Sequence, residues 1–80
     1  MLSISTKDYY DEMKGLSVEE LEEIKHKCSD KISWLYHEMG TTITKDDRER
    51  FNFLNNESIN VHNKLNAAII LLNHKETGLI

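Results

Sequence analysis

The chain has 80 residues, 39% apolar, 30% charged and 8% aromatic, with three Gly, no Pro and one Cys, which leaves room for one small domain. A chain of this size buries only about 60% of the surface that its unfolded form exposes; a lone Cys28 rules out an internal disulfide, and no Cys/His cluster offers zinc, so self-association is the expected source of extra stability. Ten Lys/Arg against fourteen Asp/Glu give a net charge of -4, which excludes coating of duplex nucleic acid by bulk charge but leaves room for a local cationic pocket that takes a small anion.

The first twenty residues hold Lys7, Asp8, Asp11, Glu12 and Lys14 and no apolar h-region of a secretory signal. The longest apolar run, Ala67 to Leu72, is six residues where a membrane span needs about 20. The expected setting is a reducing cytoplasm.

With no Pro, no repeat and no linker, the chain reads as one all-α domain over residues 1–80, a short N-terminal helix followed by a long antiparallel helical hairpin. Ser5 stands three residues before Asp8 in a capping-box-like start, and Gly15 offers a left-handed stop, so the first helix is expected from about Thr6 to Lys14. The second start is the clearest local signal: Ser17-Val18-Glu19-Glu20 is a capping box, and Leu16 can staple onto Leu21. Leu21, Ile24, Cys28, Ile32, Leu35 and Met39 then recur at a mean spacing of about 3.6, and Gly40 is expected to end the run. Early Glu19, Glu20, Glu22 and Glu23 followed by Lys25, Lys27 and Lys31 suit the helix dipole and supply a Glu23–Lys27 pair.

Thr44 is expected to cap the third helix, with Asp46 and Asp47 in its first turn and an end near Lys75. Its apolar side, Phe51, Leu54, Ile59, Val61, Leu65, Ala68, Ile69 and Leu72, is interrupted by Asn. Because Ala67 to Leu72 is apolar all round, that stretch is expected to be buried on more than one side, which a two-helix hairpin cannot do alone.

No nucleophile elbow, phosphate-cradling glycine loop or zinc-protease helix motif is present, so a binder without catalytic groups or cofactor is expected. Glu23 and His26 form a single Glu-x-x-His step where a di-iron site needs two, and read as a solvated pair. Cys28 lies on the apolar stripe and reads as a small core residue. Lys25 lies only about 20° beyond Ile32 on the helical wheel, at the edge of that stripe, where it either snorkels along the seam or meets an anion such as phosphate. Tyr9 and Tyr10 diverge by about 100°, so one is expected to pack inward, against Ile4, and the other to stay either a half-exposed ring or a stacking platform for a base. Asn66 enters the apolar run and, if buried, needs a hydrogen-bond partner.

Tyr10, the capped helix carrying Ile24-Lys25, Arg48-Glu49-Arg50 between the helices and the closing Asn66-Ala67-Ala68-Ile69 together resemble the helical-hairpin family of anti-CBASS protein 2, a phage sponge for cyclic oligonucleotides that shares its hairpin with an anti-Thoeris sponge. The resemblance covers most of the chain. It departs from the family at Asp11-Glu12, where members carry His-Pro, and at Lys64, where they carry Trp. It implies a hexameric homo-oligomer that holds cyclic dinucleotides, or cyclic trinucleotides, unchanged in pockets between subunits, with Tyr10 stacking on a base and Lys25 on the phosphates. Asn66 joins them as a candidate ligand contact.

The competing reading is a small helical adaptor or inhibitor that binds a host protein through its hairpin, with Trp34, Tyr36 and Phe53 as anchors outside the main seam. A DNA-binding helix pair would need a cationic stripe that the sequence lacks.

Overall fold

The computed structural model describes residues 5–78. Three helices follow one another: α1 (Thr6–Met13), α2 (Val18–Thr44) and α3 (Arg48–Glu76). α2 and α3 form the hairpin, and α1 folds back onto α3. The expected staple onto Ile4 lies outside the described residues.

Each start is set by a side chain that accepts an otherwise unpaired backbone N–H. Ser5 Oγ accepts from Asp8 N–H at 3.1 Å. At α2 the box closes in both directions, Ser17 Oγ accepting from Glu20 N–H at 3.2 Å and Glu20 Oε1 accepting from Ser17 N–H at 3.1 Å. Leu16 packs in the same cluster as Leu21, as a staple requires. Ser17→Ala is expected to cost about 1 kcal/mol, read as a lower denaturation midpoint with an unchanged slope.

The helix ends differ from the sequence expectation. Gly15 does not adopt the left-handed conformation, and α1 ends one residue before Lys14 with Lys14 as its cap. Gly40 does not stop α2, which continues to Thr44 because the seam carries on to buried Thr42. The hydroxyls of Thr41, Thr42 and Thr44 turn back onto the carbonyls of His37, Met39 and Gly40 and so satisfy themselves within the helix. The stop lies at Asp46, whose φ of 55° is the left-handed position of a Schellman motif: Asp47 N–H donates to Thr42 O at 2.9 Å and Asp46 N–H to Ile43 O at 3.2 Å. Asp47, not Thr44, caps α3 by accepting from Arg50 N–H at 3.1 Å, so Arg48-Glu49-Arg50 is the first turn of α3 and not an inter-helix segment. At the far end Gly78, φ 76°, supplies the left-handed turn.

Two clusters make the core. Cys28, Leu35, Leu54 and Val61 fill the hairpin seam, and Met13, Leu21, Ala67, Ala68, Leu71 and Leu72 fill the end where α1 covers it. Ala67 and Ala68 are fully buried, their small side chains letting neighbouring helices approach α3 closely, whereas Ile69 and Ile70 each remain 38% exposed. The run from Ala67 to Leu72 is therefore buried on two sides and open on a third. The extents of 48 × 22 × 14 Å describe an elongated rod. No helix among the described residues is long and apolar enough to cross a membrane.

Candidate functional site

The hairpin has two unlike faces. On one, Lys31 Nζ meets Glu57 at 3.6 Å and Arg50 meets Glu38 at 3.3 Å across α2 and α3. On the other, the Tyr36 hydroxyl and His62 Nε2 share a hydrogen bond of 2.9 Å. α1 lies on the charged face.

There α1 borders an open cleft of about 420 Å³ lined by Tyr9, Lys27, Cys28, Lys31, Glu57, Asn60, Val61 and Lys64. The volume is within the range of small-molecule sites, roughly 300–1,000 Å³. Lys27 and Lys31 stand one turn apart on α2, and Lys64 faces them from α3. Lys27 is engaged by Glu23 at 2.9 Å and Lys31 by Glu57, while Lys64 makes no ion pair among the described residues. The Lys27 pair lowers the Glu23 carboxyl and raises the Lys27 ammonium through their mutual hydrogen bond and charge. Burial pushes the Tyr9 hydroxyl up, and the carboxylates of Glu12 and Glu57 and the Cys28 thiol add to it. Burial also pushes the Cys28 thiol up, against the opposing pull of Lys64 and Lys31, so at neutral pH it is a protonated wall of the cleft. An aromatic ring beside several ammonium groups can stack a planar ring and hold an anion attached to it.

The residues singled out in the sequence are placed differently. Both tyrosines, not one, pack half-buried against the core, because α1 rests on α3 with Tyr9 toward the seam and Tyr10 toward the end of α3. The Tyr10 hydroxyl shares a 3.1 Å hydrogen bond with His74 Nδ1, and the two rings meet edge-on with centroids 5.8 Å apart. Lys25 is half-buried on α2. Eleven residues separate it from Tyr36, a rotation of about 20°, so it shares the face of Tyr36 and His62. Tyr10 and Lys25 thus belong to opposite faces and make no contact within one chain. Asn66 is exposed and needs no buried partner. Cys28 is buried in the seam, and the Glu23–Lys27 pair forms.

The cleft was not legible in the sequence. In the sequence Lys27 and Lys31 serve the helix dipole and Lys64 marks a departure from the family, and only the return of α1 onto α3 brings Tyr9 to them. A second hollow, at the α2–α3 turn, is lined by Thr42, Ile43, Asp46, Asp47, Arg48, Phe51 and Asn52 and holds both signs of charge. No group of three or more His, Cys, Asp or Glu side chains among the described residues could hold a metal ion. Compared with known proteins, the chain matches no family model, no curated protein and no solved structure.

Proposed function

We propose that the protein sequesters cyclic oligonucleotide messengers, cyclic dinucleotides first, in sites completed between subunits of a homo-oligomer, and releases them chemically unchanged. The observation that carries this reading is the cleft in which Tyr9 stands beside Lys27, Lys31 and Lys64. A cyclic dinucleotide presents planar bases and two phosphates, the chemistry that a tyrosine ring and several ammonium groups complement. The cleft is open, with the Lys27 side chain 74% exposed, so a neighbouring subunit would close it. Tyr10 and Lys25, on opposite faces of one chain, would meet a common ligand only when contributed by different copies, which agrees with a site between subunits.

Binding without conversion would lower the free messenger below the level that its receptor senses. The adaptor reading draws on the exposure of Trp34, Tyr36 and Phe53, each more than half accessible. Those rings do not form one patch: Trp34 and Tyr36, two residues apart on α2, diverge by about 160°.

Native mass spectrometry of the full chain with a panel of cyclic di- and trinucleotides tests the proposal. The expected result is an oligomer that gains whole-number ligand masses and releases the ligand unmodified on denaturation. Lys25→Ala and Tyr10→Ala are each expected to weaken binding at least tenfold, about 1.4 kcal/mol, with helicity and oligomer mass unchanged. Uptake of none of the panel would overturn it.

A further inference from the structure

α3 carries two seams. The first, Leu54, Ser58, Val61, Leu65, Ala68 and Leu72, advances in steps of four and three and packs against α2 or the core beside it. The second is Asn52, Asn55, Ile59, His62, Asn66, Ile69 and Asn73, which advances 3, 4, 3, 4, 3 and 4 residues at a time. That is the a/d rhythm of a helix that pairs with another helix. It is turned about 100° from the first seam, toward the face of Tyr36 and His62 and the outer side of α3.

Between Arg50 and Lys75 the only formal charges on α3 are Glu57 and Lys64, and both line the cleft on the opposite face. The second seam therefore carries no Asp, Glu, Lys or Arg over its whole length. Ile59 and Ile69 are 40% and 38% exposed on it, and Asn52, Asn55, Asn66 and Asn73 are exposed beside them. A helix face exposed only to water is usually rich in charge, whereas the centre of a protein interface is depleted of it.

We propose that this second seam docks a second copy of the chain, seam against seam about a twofold axis. This rests on the homo-oligomer of the proposed function and names one of its contacts, the one on the face away from the cleft. Two chains of net charge -4 repel, and this face carries no Asp, Glu, Lys or Arg on which that repulsion would be concentrated. Each Asn side chain is both donor and acceptor, so a row of amides is complementary to itself, and Asn at the a position of a heptad sets register and the number of strands. The layer is thin: α1 covers one face of the hairpin at one end, and a second copy would supply the missing layer over the other. The same docking would bring Lys25, on that face, to the border of the contact.

The test is the mass of the full chain in native mass spectrometry and in light scattering after size exclusion. Wild type is expected as a multiple of 9.4 kDa, and Ile69→Glu and Ile59→Glu are each expected to shift it to single chains or to the next smaller assembly. Both side chains are partly exposed in the single chain, so the helical circular dichroism should persist. Where a glutamate variant loses helicity, Asn66→Lys, at an exposed position, serves in its place. A wild type that stays a single chain, or an oligomer whose mass none of the folded variants alters, overturns the inference. The two proposals separate in the same spectra: an oligomer split by these variants that takes up no cyclic nucleotide supports the seam and removes the ligand, and a single chain that takes one up does the reverse.

Discussion

Leu21→Ala is expected to destabilise the protein by about 2–5 kcal/mol, measured as the shift of the urea midpoint at fixed protein concentration. Leu21 is fully buried where α2 meets α3 beneath α1, in one cluster with Met13, Ala67, Ala68, Leu71 and Leu72. Its removal loses the transfer free energy of the side chain and leaves a cavity that the helices around it fill only in part. A chain of this length has roughly 4–12 kcal/mol of total stability, at about 0.05–0.15 kcal/mol per residue, so the variant stands near the threshold of folding. Ile43→Ala is the control, because Ile43 is 68% exposed and its truncation is expected to stay within about 0.5 kcal/mol. Equal effects at the two positions would mean that α1 does not close the cluster. If the oligomer forms, both midpoints rise with protein concentration while the difference between them persists, since Leu21 is buried within the single chain.

Lys64→Ala is expected to weaken cyclic dinucleotide binding more than Lys27→Ala does, by about tenfold to a hundredfold, the loss of one charge-assisted hydrogen bond of about 1.5–3 kcal/mol. The order follows from the ion pairs. Lys27 is held by Glu23 and Lys31 by Glu57, so part of the field of each is already cancelled, whereas no described carboxylate pairs with Lys64. Calorimetric titration at two salt concentrations reads the effect: the affinity of wild type falls with added salt, and Lys64→Ala shows a shallower fall. Tyr9→Phe keeps the stacking ring and is expected to bind like wild type, while Tyr9→Ala loses about 1–3 kcal/mol. An equal loss for Lys27→Ala and Lys64→Ala would overturn that order, and no loss for either would remove the cleft from the site and leave Tyr10 and Lys25 as its candidates.

Sequence alone determined the helices and most of their starts, because both are written in short-range chemistry. The Ser17–Glu20 box needs only residues three apart, and the seam of α2 needs only the 3.6-residue period that puts Leu21, Cys28 and Leu35 on one side. The ends were less legible. Gly15 and Gly40 looked like stops, but glycine permits a left-handed turn without requiring one, and Asp46 takes that conformation where the chain must turn between the two seams. Tertiary structure decided what shares a site. Tyr9 and Lys64 are 55 positions apart, and only the docking of α1 on α3 makes them neighbours. The same docking commits the Tyr10 hydroxyl to His74 and leaves Tyr10 and Lys25 on opposite faces. A helical period says which residues share a side, but not which side another helix will cover; that is settled by where small residues such as Ala67 and Ala68 let helices come close.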